Sequence, residues 1–260
     1  MWIDTHSHLY LPEFDADRKQ VFKRAKEAGV TKIILPNIDE DSLPLLKQTV
    51  KEYLQQAYPL IGLHPTSVTA NWKQDLRFVE DELQNNRYYG IGEIGIDLYW
   101  EKTLGKEQKY AFRHQLELAV SYNLPAIIHI REAFDEVFSV IEDYNNPNLF
   151  GIFHCFTGSL QQAKRAIGLG FYLGIGGVST FKNASLPEVV EKLEVKHLVV
   201  ETDAPYLTPH PYRGKRNESS YIPLIGGKIA EVKQISIAEV ARQTTENAIT
   251  IFGFDDEKEK

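Results

Sequence analysis

Cysteine is almost absent from this sequence, since Cys155 is the single one in 260 residues. One thiol cannot form a disulfide within the chain, and nothing else points to an oxidising compartment. The sequence also lacks an apolar run long enough to cross a bilayer. Its first residues, MWIDTHSHLY, lack the basic and apolar regions of a secretory signal. We therefore expect a cytoplasmic protein that has no membrane partner.

Positive charge is in deficit, because 29 Lys and Arg residues stand against 36 Asp and Glu residues, for a net charge of −7. Proteins that coat duplex nucleic acid through many phosphate contacts are usually basic, so this class is disfavoured. An enzyme that holds one phosphodiester with metal ions and a few local cations is not excluded. If nucleic acid is the substrate, single-stranded ends or short oligonucleotides are favoured over long duplex.

No Gly-rich dinucleotide fingerprint follows the first apolar run, and the chain has no linker, repeat or low-complexity block. It shows instead an alternation of short apolar runs with amphipathic stretches. The runs are rich in Ile, Val, Leu and aromatic residues and only a few residues long, which indicates buried strands. They are Met1–Asp4, Lys32–Pro36, Tyr58–Gly62, Tyr88–Gly92, Ala126–His129, Leu149–Phe153, Phe171–Ile175 and Leu198–Glu201.

The stretches between these runs have the spacing of helices. The first of them places Val21 and Ala25 on one helical face, with Gly29 in position to end the helix. Strands that alternate with helices form parallel β–α units. We predict an α/β fold, a single-domain (β/α)8 TIM barrel over residues 1–260, with a frayed polar tail at 255–260. An open, doubly wound sheet is the main alternative.

Side chains that can bind metals follow the predicted strands at their carboxyl ends. In chain order they are His6, His8, His64, Glu93, His129, His154 and Asp203. The carboxyl ends of barrel strands open onto one face, where active sites are built, so these residues would converge. Side chains alternate along a strand, so the His6-Ser7-His8 segment presents both imidazoles on the same side.

This set is too large for one tetrahedral ion with an open position. Imidazole suits Zn²⁺, and bridging carboxylates also suit Mn²⁺ and Mg²⁺. Two divalent ions about 3.5–4 Å apart, bridged by a carboxylate and a hydroxide, accommodate the set better. A lone strand-end histidine is more often a core or capping residue, and Glu93 or Asp203 could each cap a helix or a turn. Their occurrence together at one level of the barrel favours the metal site.

The remaining histidines serve as a comparison. We expect His114 to be a solvated residue on its helix and His197 to lie at the opposite end of the barrel, so neither is a candidate ligand. His210 lies in a loop on the correct face, where it is either a substrate contact or a plain loop residue.

Six sequence blocks, in order over nearly the full chain, resemble the TatD-type deoxyribonucleases of the amidohydrolase-like superfamily. They are HSH (6–8), GEIGID (92–97), HIR (129–131), HCFTG (154–158), ETDAPYLTP (201–209) and RGKRNE (213–218). The resemblance implies that one metal ion is held by His6, His8, Glu93 and Asp203. It implies that the second is held by Glu93, His129 and His154, with Glu93 as the bridge. The departures from the family pattern, Ile96, Glu132 and Ser219, remove no ligand.

The resemblance implies a metal-dependent deoxyribonuclease that cleaves phosphodiester bonds by a metal-bridging hydroxide, with Glu93 and Asp203 as catalytic residues. Asp203 would both bind metal and take the proton of the nucleophile. Candidate substrate-binding residues, suited to holding phosphate, are His64, Arg131, Arg213, Lys215, Arg216 and Asn217. The alternative for residues 213–217 is a solvated turn whose cations pair with nearby acids.

Three aromatic residues near the same face, Tyr99, Trp100 and Phe156, could stack on bases, although barrel loops commonly carry packing aromatics. Two rival functions stay open at this point. One is a two-metal amide or ester hydrolase acting on a small metabolite or on aminoacyl-tRNA, because the fold does not decide which bond is attacked. The other is a non-catalytic binding barrel, whose mark would be a missing ligand. No obligate protein partner is implied.

Overall fold

The strands of this protein run parallel and neighbour one another in chain order. The computed structural model describes residues 1–254, in which eight strands alternate with ten α-helices. The strands are β1 (Trp2–Asp4), β2 (Val30–Leu35), β3 (Ala57–Pro59), β4 (Ile91–Asp97), β5 (Ala126–Arg131), β6 (Gly151–Phe153), β7 (Phe171–Ile175) and β8 (Leu198–Val200). The polar tail predicted at 255–260 lies outside the described residues.

The helices lie between the strands and after β8. They are α1 (Arg18–Glu27), α2 (Leu43–Glu52), α3 (Trp72–Asp75), α4 (Arg77–Asn85), α5 (Gly105–Ser121), α6 (Phe134–Tyr144), α7 (Leu160–Gly168), α8 (Leu186–Glu191), α9 (Ile222–Lys233) and α10 (Ile237–Phe252). Gly29, at φ 80°, follows the end of α1, as its place in the sequence predicts. Within residues 1–254, no helix has both the length and the apolar character that a bilayer crossing requires.

Backbone hydrogen bonds close the strands into a ring. β1 to β3 pair in order, and so do β4 to β8. Between β3 and β4, the Gly92 N–H donates to the Ile61 carbonyl at 2.8 Å. Between β8 and β1, the Thr5 N–H donates to the Val200 carbonyl at 3.1 Å. The predicted (β/α)8 barrel is therefore confirmed, and the open-sheet alternative is wrong.

The barrel is filled at one end and open at the other. A cluster of buried apolar side chains, including Ile3, Ile127 and Val199, packs against Ile251 and Phe252 of α10. This helix lies at the amino-terminal ends of the strands and makes many of its contacts with β1 and β8. The carboxyl ends of the strands are thereby left free for a site.

The structure corrects the predicted bounds of the fourth strand. It runs over Ile91–Asp97 instead of ending at Gly92, so Glu93 lies within the strand and not at its end. Beyond Gly92 the segment continues to pair with β5, with Gly95 opposite His129 and Asp97 opposite Arg131.

Candidate metal centre

A cavity of about 630 Å³ opens at the carboxyl ends of the strands. The predicted ligands and their neighbours form its wall: His8, Ile38, His64, Thr66, Glu93, Asp97, Trp100, His129, Arg131, His154, Asp203, Tyr206 and Leu207. His6 is fully buried beneath them. The structure thus brings together all six residues that the sequence predicts as metal ligands.

The carboxylate of Glu93 lies at the centre of this group. Its Oε2 is 3.2 Å from His6 Nε2 and 3.4 Å from His8 Nε2. Its Oε1 is 2.7 Å from His129 Nδ1 and 2.9 Å from His154 Nε2. Each oxygen of one carboxylate therefore faces a different pair of the histidines predicted as ligands, which is the arrangement that a bridging ligand requires.

The donor atoms on the Oε2 side have the spacing of ligands around one ion. His6 Nε2 and His8 Nε2 are 3.2 Å apart, and Asp203 Oδ1 is 3.7 Å and 3.8 Å from them. Ligands about 2.0–2.1 Å from a tetrahedral ion lie about 3.3–3.4 Å from one another. These residues therefore fit a divalent cation by both donor chemistry and distance.

Hydrogen bonding fixes which nitrogen of His8 faces the centre. Tyr10 donates its hydroxyl hydrogen to the Pro36 carbonyl at 2.8 Å, so its oxygen accepts from His8 Nδ1 at 3.1 Å. A proton on Nδ1 leaves the lone pair of the neutral imidazole on Nε2, the atom that faces Glu93.

Buried carboxylates hold the outer nitrogens of the two histidines on the Oε1 side. Asp97 Oδ2 accepts from His129 Nε2 at 2.9 Å, and Glu201 Oε1 accepts from His154 Nδ1 at 3.2 Å. Metal-binding histidines usually make such an outer hydrogen bond, which sets the tautomer and orients the ring. Gly174 leaves room for Glu201, since a Cβ there would meet its Oε2 at 2.1 Å.

The prediction from sequence assigned no role to Asp97 or Glu201. For Asp97 the signal was present, because Glu93 and Asp97 share one face of a strand by alternation. Placing that strand's end at Gly92 hid this relation. Asp4 was missed as well: it is fully buried and accepts from the Thr202 N–H at 3.0 Å and the Thr202 hydroxyl at 2.6 Å. It thereby fixes the backbone beside Asp203.

His64 approaches Glu93 but is oriented as a hydrogen-bond donor. The Thr66 N–H can only donate, and it does so to His64 Nδ1 at 3.2 Å. The proton of a neutral His64 therefore lies on Nε2, which is 3.5 Å from Glu93 Oε1. Burial lowers the pKa of His64, which favours this neutral form. His64 thus offers an N–H to the cavity, as a phosphate contact would require.

The electrostatics of the centre favour positive charge. Burial alone would raise the pKa of Glu93, but the charges of His154 and His6 outweigh it and hold that pKa well below its ordinary value. Burial would likewise lower the pKa of His154, but Glu93 and Glu201 raise it well above its ordinary value. Burial raises the pKa of Asp203 to about 6, against the opposing charges of His154 and His8. Cations placed among these carboxylates would be strongly favoured.

The basic loop at 213–217 does not border the cavity. Arg216 pairs with Asp17 at 2.8 Å and donates to the Glu13 carbonyl at 2.6 Å. Asn217 is fully buried, and its amide donates to the carbonyls of Thr202 and Tyr206. The substrate contacts predicted for these two residues find no support in this placement, because acids and carbonyls of the fold already occupy their donors.

The other two cations of that loop lie near its surface. The Arg213 guanidinium stacks on Phe181, 3.6 Å from the ring centroid, and donates to the Thr208 carbonyl. Lys215 is exposed, 5.5 Å from the centroid of Tyr212. Neither lines the cavity, whereas His64 and Arg131 of the same predicted set do.

The three aromatic candidates separate in the structure. Phe156 is buried at 2% exposure and packs against Phe134, so the base-stacking role considered for it is wrong. Tyr99 and Trp100 are exposed, at 45% and 68%. They lie two and three residues beyond the end of β4, and Trp100 lines the cavity.

None of the remaining histidines enters the centre. His114 is half-buried and bonds Glu80 Oε1 at 2.6 Å, so it is less solvated than predicted. His197 immediately precedes β8, at the closed end of the barrel, as predicted. His210 is exposed and borders a separate surface cleft with Arg213.

Comparison with known proteins agrees with this geometry. The chain matches the family model described as TatD related DNase over residues 3–253. It belongs to that family. The match confirms the resemblance carried by the six motif blocks.

Relatives of the TatD family cover nearly the whole chain. The chain is 40% identical to "Uncharacterized metal-dependent hydrolase YabD" of Bacillus subtilis (strain 168), over 97% of this chain and 99% of that protein. It is 29% identical to "3'-5' ssDNA/RNA exonuclease TatD" of Pantoea ananatis, over 96% and 97%. The crystal structure of YjjV, a TatD homologue from Escherichia coli K12, superposes with a TM-score of 0.90 at 30% identity, over 97% of this chain and 98% of that one. The chain is thus a metal-dependent hydrolase of the TatD family.

Proposed function

We propose that this protein hydrolyses phosphodiester bonds of DNA with two divalent cations and removes nucleotides from single-stranded ends. The observation that carries the proposal is the carboxylate of Glu93, whose two oxygens face two separate pairs of imidazoles. The TatD family membership supports it, as does the relative from Pantoea ananatis that is named a single-strand exonuclease.

His6, His8 and Asp203 would hold one cation and His129 and His154 the other, with Glu93 shared between them. Zn²⁺, Mn²⁺ or Mg²⁺ suits this mixture of imidazole and carboxylate. When bound, such a pair of ions lowers the pKa of water and offsets the negative charge that builds on the attacked phosphate.

The side chains of the protein supply proton transfer and orientation. Asp203 Oδ1 accepts the proton of the attacking water, and its carboxylate keeps 15% exposure toward the cavity. His64 Nε2–H and the Arg131 guanidinium donate to the phosphate oxygens, which holds the phosphorus in line with the attacking water. Arg131 lines the cavity, where its donors can reach an anion bound beside Glu93 and Asp203.

The size of the cavity favours strand ends. Its volume of about 630 Å³ lies in the range of pockets for small ligands, about 300–1,000 Å³. Such a cavity admits a terminal nucleotide but not the body of a duplex. The net charge of −7 agrees with few phosphate contacts.

The test is release of nucleotides from single-stranded DNA labelled at the 5′ or the 3′ end. We compare the wild type with Glu93→Ala, with and without EDTA, and use Arg216→Ala as a control outside the cavity. We expect metal-dependent release that Glu93→Ala abolishes and Arg216→Ala leaves intact. Absence of cleavage with Zn²⁺, Mn²⁺ and Mg²⁺, despite bound metal, would reject the nuclease and favour an amide or ester substrate.

A further inference from the structure

Two large aromatic side chains stand exposed next to each other, and one of them, Trp100, lines the cavity. Tyr99 is 45% and Trp100 68% exposed, and their rings meet edge to face with centroids 4.9 Å apart. Single exposed apolar residues are common on protein surfaces and need no explanation. This pair is different, because Trp100 lines the cavity and Tyr99 packs against Trp100 and Arg131, which also lines it.

The pair is fixed relative to the metal centre by one carboxylate. Asp97 Oδ1 accepts from the Tyr99 N–H at 2.9 Å and from the Trp100 N–H at 2.8 Å. The second oxygen of the same carboxylate accepts from His129. Gln108 braces the segment by donating to the carbonyls of Asp97 and Glu101. The backbone that carries both rings is therefore held next to the candidate ligand His129.

A cation lies against the same two rings. The Arg131 guanidinium is 4.2 Å from the ring centroid of Tyr99 and 5.4 Å from that of Trp100. Arg165, for comparison, pairs with Glu142 on the outer surface of the protein. Arg131 instead lines the cavity, and the stacking on Tyr99 orients its fork of donors.

We propose that Tyr99, Trp100 and Arg131 form a nucleotide-binding rim. Trp100 stacks on an unpaired base of the substrate, and Arg131 binds the phosphate next to that base. Stacking requires a base whose face is free, so the rim selects single-stranded over paired ends. The proposal rests on the proposed function and adds the part of the substrate that the metal centre itself does not touch.

The first test is tryptophan fluorescence of the full-length protein in EDTA, titrated with a short oligothymidylate. The sequence has three tryptophans, and Trp72→Phe removes the other partly exposed one, since Trp2 is buried. We expect quenching that persists in Trp72→Phe and disappears in Trp100→Phe. Quenching that survives Trp100→Phe would overturn the rim.

The second test measures KM and kcat of the metal-loaded enzyme on oligonucleotides in which one abasic site is moved along the strand. Trp100→Ala should raise KM about ten-fold on the intact strand, the effect of one lost stack, with kcat little changed. Trp100→Phe should have a KM close to that of the wild type, because phenylalanine can still stack on the base. With the abasic site at the stacked position, the wild type and Trp100→Ala should become equal.

The outcomes separate the two proposals. Suppose that the wild type cleaves normally but has the same KM as Trp100→Ala, or that their KM values differ at every position of the abasic site. The rim is then refuted, and the nuclease proposal stands. If the wild type cleaves none of these strands, the nuclease proposal fails first, and quenching through Trp100 then decides whether the rim binds nucleotides.

Discussion

Replacing Asp97 by asparagine changes one oxygen to an amide group and keeps the shape of the side chain. Asp97 Oδ1 is occupied by the backbone donors of Tyr99 and Trp100, so the asparagine must place its oxygen there. Its NH₂ then faces His129 Nε2 across 2.9 Å, the present length of the hydrogen bond to Oδ2. Two donors cannot pair, so the proton of His129 is driven to Nδ1, the atom that faces Glu93.

A proton on Nδ1 removes the lone pair that would bind a cation. Loss of an outer hydrogen bond of this kind costs about 10- to 100-fold in metal affinity or activity, which is about 1.4–2.7 kcal/mol. The assay is competition for Zn²⁺ against a chromogenic chelator, with nuclease activity measured across a range of metal concentrations. We expect Asp97→Asn to bind the cation at His129 and His154 10- to 100-fold less tightly than the wild type does.

Glu201→Gln is the matched control. Glu201 Oε1 accepts from both His154 Nδ1 and the Cys155 N–H, while Oε2 has no hydrogen-bond partner in the described part of the chain. A glutamine can therefore keep its oxygen toward His154, and we expect a smaller loss of affinity. The reasoning is refuted if Asp97→Asn binds both ions like the wild type, or loses no more affinity than Glu201→Gln.

Three further results are expected. Gly174→Ala should displace Glu201 and lower both metal affinity and Tm; an unchanged chelator competition would contradict this. Burial raises the pKa of Asp4 from 3.8 to about 7. As the pH rises from about 4 to 7, the wild type should therefore lose up to about 4 kcal/mol of its free energy of unfolding, because Asp4 ionises more readily in the unfolded chain. Asp4→Asn has no carboxyl group at this position and should not show this loss. Urea unfolding of metal-free protein should show the variant gaining on the wild type as pH rises, and a constant difference would oppose the assignment. Arg131→Ala should raise KM about ten-fold, because a charged hydrogen bond to the substrate is lost. Arg216→Ala should leave KM unchanged and alter the free energy of unfolding by less than about 1 kcal/mol. Equal effects on KM would reject the distinction between these two arginines.

The barrel could be predicted because its signal repeats along the chain. Short apolar runs alternate with helical stretches, and a residue that can bind metal stands at the carboxyl end of several of these runs. Convergence of strand ends then brings distant residues such as His6 and His154 together, with ring centroids 3.7 Å apart. Only the barrel's geometry is needed for this step, so the candidate ligands follow from sequence.

The residues that orient those ligands could not be predicted in the same way. Glu201 and Asp4 act through hydrogen bonds to His154 and Thr202, which lie far from them in sequence. Packing between strands determines these partners, and the spacing of the residues in the sequence does not indicate them. The sequence left two interpretations of the basic loop open for a related reason. Its charge pattern suits phosphate, but Asp17 lies 199 positions away in sequence from its partner Arg216, and only the fold brings them together.

If Glu93 joins two cation sites, the number of Zn²⁺ ions bound per chain must depend on it. We would compare the wild type with His8→Ala, His129→Ala and Glu93→Ala by elemental analysis after dialysis. We expect two ions in the wild type, one in each histidine variant and none in Glu93→Ala. A wild type that holds a single ion, or a Glu93→Ala variant that keeps two, would contradict it.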